Sequence, residues 1–124
     1  MQKTEEANKE EEKSEAKVYF FKSDKLGKGE AELGDVLVKG FIHTLLDIDP
    51  LPHKIIFMNA GVKIPTQNDD AIDSLKELEE KGITILACGT CLDYYGLTDE
   101  LQIGTISNMY EIVESLNNND VVTI

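Results

Sequence analysis

The sequence predicts a three-layer α/β domain, in which helices cover both faces of an open, mostly parallel sheet of about five strands. Short apolar runs of strand character alternate along the chain with segments of helical periodicity. The strand-like runs are continuously apolar rather than alternating, which is typical of strands buried on both faces of a parallel sheet. Together these observations favour a flavodoxin-like arrangement with right-handed crossovers.

The first half of the chain predicts two strands and one helix. Residues 18–21 form an apolar run rich in strand formers and are the first predicted strand. A glycine-containing loop over residues 23–32 leads into a helix that is predicted for about residues 31–47 and that cannot extend to Pro50. Residues 54–58 are the second predicted strand.

The second half continues the alternation. Asn68 or Asp69 can cap a second helix, and Gly82 follows that helix in the position of a C-terminal glycine. Residues 83–87 are the third predicted strand, which leads directly into Cys88. We therefore expect Cys88 at the tip of a buried strand.

The remaining elements are predicted to be short. A short helix or turn follows Cys91 and ends near Gly96. Residues 101–106 predict a fourth strand, Ser107 can cap the last helix, and residues 120–124 predict a closing strand.

Composition and charge limit the classes of function. Residues 1–16 hold six Glu and three Lys without apolar periodicity, so we expect a disordered acidic tail or linker before one domain of residues 17–124. The start lacks the apolar segment of a secretory signal and no run approaches a membrane span, so we expect a cytoplasmic protein. The formal net charge of −12 disfavours binding to nucleic acids and anionic membranes, and it serves solubility or attracts a basic partner.

Functional residues of parallel sheets lie beyond the carboxyl ends of the strands. Three predicted loops emerge at that edge, and they comprise residues 23–32, 59–67 and 88–96. The third loop contains the two cysteines of the chain, Cys88 and Cys91. This loop is therefore the first candidate for a site.

The spacing of the cysteines favours a reactive thiol. If a helical turn begins near Cys91, its amides point towards the Cys88 sulfur, lower its pKa and enrich the thiolate. Gly89 lets a substrate approach closely, and Thr90 can offer a hydroxyl to the sulfur. A buried, inert cysteine is the alternative for Cys88, but a second cysteine at this spacing favours chemistry.

Metal and cofactor sites are not expected. A structural zinc site would need a second pair of ligands, and neither His43 nor His53 has ligand spacing to the cysteines. Residues 23–29 lie between a strand and a helix, but they lack the Gly-Lys-Ser/Thr ending of a phosphate loop and the hydroxyl groups suited to a flavin phosphate.

Polar residues of the three edge loops are candidates to support the cysteines. Residues 23–29 are expected to form a flexible loop over the cysteine site, where Lys25 or Lys28 would stabilise a thiolate or an anionic substrate. Asn59 and Asp93 follow predicted strand ends and can reach the same edge. Turn or cap formation is the alternative role for both.

Several stretches carry a family resemblance, and they are residues 23–29, Leu33-Gly34 with Gly40-Phe41, residues 57–62, residues 88–95, Gly104 and Asn108-Met109-Tyr110. Together they resemble the DsrE-like C-terminal domain of the YedF proteins, which are sulfurtransferase-like proteins of selenium metabolism. The resemblance extends over residues 18–124, and its Cys-Gly-Thr-Cys-Leu-Asp-Tyr-Tyr stretch is specific.

The resemblance implies a DsrE-like fold, homo-oligomerisation and sulfur relay through a cysteine persulfide. It matches Cys88 to the cysteine of the sulfur-relay relatives, whereas Cys91 has a counterpart in only part of the superfamily. It also implies a sulfur donor or acceptor protein as a partner. Full-length YedF proteins carry a TusA-like domain with a Cys-Pro motif, which this sequence lacks, and the acidic start resembles their interdomain linker.

Three functions remain open from the sequence. In the first, Cys88 accepts sulfur or selenium and Cys91 resolves the persulfide, without a metal. The second is a non-catalytic oligomeric assembly or carrier-binding module, for which aromatic residues such as Tyr94, Tyr95 and Tyr110 suit an interface. The third is a dithiol redox protein. Thiol reactivity separates the second from the others, and uptake of sulfane sulfur separates the first from the third.

Overall fold

The computed structural model describes residues 16–124. The predicted acidic tail therefore lies, apart from its last residue, outside the described residues. The strands are β1 (Val18–Phe21), β2 (Lys54–Phe57), β3 (Thr84–Cys88), β4 (Thr105–Ser107) and β5 (Val121–Thr123). The α-helices are α1 (Ala31–Thr44), α2 (Ile64–Gln67), α3 (Asp69–Glu80), α4 (Gly89–Tyr94) and α5 (Met109–Asn117).

The five strands form one sheet in the order β4-β3-β2-β1-β5, and every neighbouring pair is parallel. The predicted open parallel sheet of an α/β fold is thus confirmed. The chain adds strands in one direction from β1 to β4 and then returns to place β5 beside β1. Right-handed crossovers require that α5, which precedes the return, lies on the opposite face from α1 and α3.

The core follows from the continuous apolar character of the inner strands. Ile55, Ile56 and Phe57 of β2 are fully buried, as a strand covered on both faces requires. Phe21 and Phe57 are register partners on adjacent strands, and their ring centroids lie 5.3 Å apart. Phe41 of α1 meets Phe21 edge-on at 5.8 Å, so aromatic packing joins the helix to the sheet.

Helix α1 ends earlier than predicted, at Thr44 instead of Asp47. After Thr44 the backbone bonds tighten, because Leu46 donates to the carbonyl of His43 and Asp47 to that of Thr44. Each of these bonds joins residues three positions apart, instead of the four of an α-helix. Residues 45–47 therefore form a turn, although their apolar periodicity continues that of the helix.

The cap of α5 is Asn108, not Ser107 as predicted. The Asn108 Oδ1 atom accepts the backbone N–H of Glu111 at 2.9 Å. Ser107 is instead the last residue of β4, and its hydroxyl donates to the Glu111 carboxylate. Both residues therefore anchor the first turn of the helix, but the backbone cap belongs to the asparagine.

Strand β4 begins at Thr105, later than the predicted start at residue 101. Gly104 has φ 91°, and a Cβ atom there would lie 2.8 Å from Ile85 Cγ2 and 2.9 Å from the Ile85 carbonyl oxygen. The glycine therefore brings the chain tightly against β3 before pairing starts, which limits the strand to three residues.

We expect Gly104→Ala to destabilise the domain by about 1–3 kcal/mol more than Gly82→Ala. Both glycines have positive φ, so alanine is strained at each, but a Cβ atom at Gly82 meets nothing within 4 Å. Urea denaturation of the two variants measures the difference in the free energy of unfolding. Equal losses would show that the contact with Ile85 relaxes without cost.

Candidate functional site

The cysteine loop begins inside the sheet rather than beyond it. Cys88 is the last residue of β3 and is 2% exposed. Helix α4 starts immediately at Gly89, so Cys88 is its N-cap residue, and the helix begins two residues before the predicted position. A Cβ atom at Gly89 would lie 3.1 Å from both Ile106 Cγ2 and the Ser107 carbonyl oxygen, so the glycine allows α4 to pack closely against β4.

The two thiols are free and interact with each other. Cys91 lies within α4, is half-buried, and its Sγ atom accepts the backbone N–H of Asn59 at 3.1 Å. Burial raises the pKa of the Cys91 thiol above its ordinary value, and a side-chain hydrogen bond with Cys88 raises it further. The Asn59 N–H opposes these effects, because it favours the thiolate.

The Asn59 amide is positioned by a 3₁₀ turn, Asn59–Lys63, that follows β2. Asn59 has φ 55°, the left-handed conformation that asparagine tolerates better than most residues. A Cβ atom at Gly61 would overlap the Phe21 carbonyl group. Because glycine has no side chain, this turn can pack against the end of β1. This segment lies at the predicted edge of the sheet, but its helical turns were not predicted.

Tyr95 and Lys63 extend the site, and neither was a predicted site residue. The Tyr95 hydroxyl donates to Asn59 Oδ1 at 3.2 Å, and the Lys63 ammonium lies 4.7 Å from the centroid of the Tyr95 ring. The neighbouring ring of Tyr94 packs edge-on against Tyr95 at 5.2 Å and is 83% exposed. A signal was available, because Lys63 lies in the predicted edge loop and Tyr95 lies four positions after Cys91.

The structure places two predicted supporting residues away from the sulfurs. Thr90 and Asp93 are exposed on α4, and within residues 16–124 neither forms a hydrogen bond with a cysteine. Asn59, in contrast, contacts Cys91 as described. Among the predicted polar neighbours, the structure therefore brings Asn59 to the thiol pair.

Lys25 lies beside the site rather than on the sulfurs. Its ammonium pairs with Asp24 at 3.0 Å, and Leu26 donates its N–H to the Gly34 carbonyl, which draws the loop onto the first turn of α1. Lys25 lines a cleft of about 490 Å³ with other charged residues, including Lys63. Since Lys63 also covers Tyr95, the cleft borders the residues that surround Cys91.

Two further properties bear on the classes of site. Among residues 16–124, no group of three His, Cys, Asp or Glu side chains is arranged to hold a metal ion. In the same part of the chain, no helix has both the length and the apolar character needed to cross a membrane.

The arrangement suits exchange reactions at sulfur. One thiol is buried at a strand end, the other is half-buried, and the second sulfur receives an amide N–H. Such a pair can exchange with a persulfide or disulfide, or close to an internal disulfide.

Comparison with known proteins agrees with this fold. A sequence profile of the DsrE/DsrF-like family matches residues 39–124, which is more than half of the chain. The YchN protein of E. coli shares the fold with a TM-score of 0.65 at 12% identity, covering 88% of this chain and 99% of that one. No curated protein matches the sequence significantly.

Two other solved structures have the same architecture. BT1422 of Bacteroides thetaiotaomicron, described as a conserved protein of unknown function, has a TM-score of 0.65 at 19% identity and covers 90% of this chain and 97% of its own. MTH1491 of Methanobacterium thermoautotrophicum, also of unknown function, has a TM-score of 0.61 at 18% identity and covers 86% and 96% respectively. From the profile match over residues 39–124, the chain belongs to the DsrE/DsrF-like family.

Proposed function

We propose that this domain handles sulfur as a persulfide on the Cys88–Cys91 pair. The observation that carries the proposal is the placement of two free thiols three positions apart where β3 passes into α4, with a backbone N–H donated to the second. Membership of the DsrE/DsrF-like family supports it, because the resemblance noted above implies sulfur relay.

The reaction balances without a metal. The acceptor thiolate attacks the outer sulfur of a donor persulfide, the donor S–S bond breaks, and the donor leaves as a thiolate. An acceptor thiol can then take the outer sulfur in the same way. Alternatively, the second cysteine attacks the inner sulfur, which forms the internal disulfide and releases hydrosulfide.

The roles of the two cysteines follow from the resemblance, which matches Cys88 to the cysteine of the sulfur-relay relatives. We propose Cys88 as the acceptor and Cys91 as the second thiol. Because Cys88 is 2% exposed, we expect a small donor such as inorganic polysulfide to load it directly. A protein donor would meet the half-buried Cys91 first.

We further propose that the domain is a YedF-like sulfurtransferase with sulfur or selenium as cargo, acting in the cytoplasm. The stretch Cys-Gly-Thr-Cys-Leu-Asp-Tyr-Tyr over residues 88–95 supports the subfamily. Two free thiols suit a reducing compartment. The net charge of −12 would attract a donor or acceptor with a basic surface, and a TusA-like domain is the proposed partner.

A dithiol–disulfide couple is the second candidate function. The spacing of the two free thiols favours it, because Cys88 and Cys91 lie three positions apart where β3 passes directly into α4. Uptake of sulfane sulfur by the reduced protein distinguishes the two functions.

We also propose that the domain forms a homo-oligomer through exposed apolar surface. Two surfaces qualify, and they comprise Leu33, Val36 and Leu37 on α1, and Ile106, Met109, Tyr110 and Val113 on β4 and α5. Tyr110 is 77% exposed, whereas Tyr95 is held against Asn59. Clusters of this kind are typical of contact surfaces.

Intact-mass spectrometry after exposure to polysulfide tests the sulfur chemistry. We expect the reduced wild-type protein to gain the mass of a sulfur atom, and Cys88→Ser to abolish the gain, because the serine hydroxyl is not nucleophilic enough to replace the thiolate. Cys91→Ser should keep the gain and prolong its lifetime, since the resolving thiol is absent.

The other outcomes of this measurement are decisive as well. Loading of Cys88→Ser but not of Cys91→Ser would reverse the roles. Loss of two hydrogen atoms from the wild-type protein, together with no gain of sulfur by Cys91→Ser, would favour the dithiol redox function, because without the resolving thiol any accepted sulfur would remain on Cys88. A wild-type protein that neither gains sulfur nor forms a disulfide would favour the assembly module.

Light scattering tests the oligomer. We expect a mass above that of the 13.8 kDa chain, and a lower mass for Val36→Lys or Tyr110→Lys, because burying a charge at an apolar contact is costly. Thr84→Lys adds the same charge at an exposed residue outside both surfaces and is the control. A wild-type mass equal to one chain at working concentration would contradict the proposal.

A further inference from the structure

Asn59 combines an unfavourable backbone conformation with a directed contact. Its φ of 55° lies in the left-handed region, which costs a residue with a side chain more than it costs glycine. The same conformation directs the Asn59 N–H to Cys91 Sγ at 3.1 Å. Backbone strain of this kind persists where the surrounding contacts hold it in place.

Those contacts come from the residue that follows α4, the helix that carries the thiol. The Tyr95 hydroxyl donates to Asn59 Oδ1 at 3.2 Å. Cys91 and Tyr95 are four residues apart on one face of the cysteine segment, so Asn59 contacts the first with its N–H and the second with its side chain. At the other end of the 3₁₀ turn, the Lys63 ammonium lies over the Tyr95 ring.

We propose that Asn59 is a positioning residue for Cys91, held in its left-handed conformation by the Tyr95 hydroxyl so that its N–H stabilises negative charge on the sulfur. This inference rests on the proposed function, since it deepens the role of Cys91. The contribution comes from the backbone of Asn59 and not from its side chain, whose amide oxygen is occupied by Tyr95.

The Asn59 N–H shifts the pKa of the Cys91 thiol in the opposite direction from the other surroundings of that sulfur. Burial and the neighbouring Cys88 on β3 raise the pKa of the Cys91 thiol, and the Asn59 N–H lowers it. Lys63, the last residue of the 3₁₀ turn, places its positive charge over the Tyr95 ring on this side of α4. A persulfide anion on Cys91 would present the same kind of acceptor as a thiolate, so the N–H would also favour the loaded state.

The test measures the pH dependence of Cys91 alkylation by iodoacetamide in the Cys88→Ser protein. Tyr95→Phe removes the hydroxyl but keeps an aromatic ring beneath Lys63. Because the hydrogen bond to Asn59 Oδ1 is lost, we expect the midpoint of the profile to move upward by about half a pH unit. Tyr94→Phe is the matched control, since it deletes the same group from the neighbouring, exposed ring.

Substitutions of Asn59 separate its conformation from its side chain. Asn59→Gly and Asn59→Ala both keep the backbone N–H and both lose the amide oxygen, but glycine adopts positive φ without strain whereas alanine disfavours it. We expect Asn59→Ala to raise the midpoint more than Asn59→Gly does. Circular dichroism confirms that each variant is folded.

The outcomes are independent of sulfur transfer, because iodoacetamide requires no persulfide donor. A higher midpoint in Tyr95→Phe and Asn59→Ala, with Tyr94→Phe unchanged, supports the inference even if the protein takes up no sulfur. Midpoints of Tyr95→Phe and Asn59→Ala that coincide with that of Tyr94→Phe would overturn it, even if sulfur uptake is observed.

Discussion

A close approach between two backbone segments is the constraint on which the thiol site depends. The Phe21 carbonyl at the end of β1 accepts the N–H of Met58, and Gly61 lies so close to it that a Cβ atom would overlap the carbonyl group. This contact lets the turn Asn59–Lys63 fold back over the sheet edge instead of extending from it. Without it, no amide of that turn would lie beside α4 to meet Cys91.

The site also depends on how directly β3 becomes α4. Cys88 ends the strand and caps the helix, so no loop separates the buried sulfur from the helical segment that carries Cys91. Gly89 permits the sharp transition, because a side chain there would press on Ile106 and the Ser107 carbonyl. The end of a buried strand and the helix that follows it without a loop therefore carry the two sulfurs.

The sequence predicted the sheet well because burial on both faces leaves a local signature. The run through Ile55 and Ile56 is apolar at every position, whatever its neighbours are. The element ends were less accurate for reasons that depend on tertiary contacts. The start of β4 is set by the packing of Gly104 on Ile85, which lies nineteen positions earlier in the sequence. The cysteines and Asn59 were placed at one edge by the topology of parallel strands, but the bond from Tyr95 to Asn59 joins distant segments and has no local pattern.

The related structures share the fold of this chain at low sequence identity, so the architecture and the residues of the candidate site have separate explanations. Parallel apolar strands and amphipathic helices can be built from many sequences, so 12% identity is compatible with a TM-score of 0.65 to the YchN protein. A thiol pair with the proposed function needs specific atoms within hydrogen-bond distance of its sulfurs. In this chain those atoms belong to Cys88, Cys91, Asn59 and Tyr95, three of which lie on one short segment. The proposed chemistry therefore depends on a contact between that segment and a single turn, so the shared architecture by itself does not imply the same chemistry in other family members.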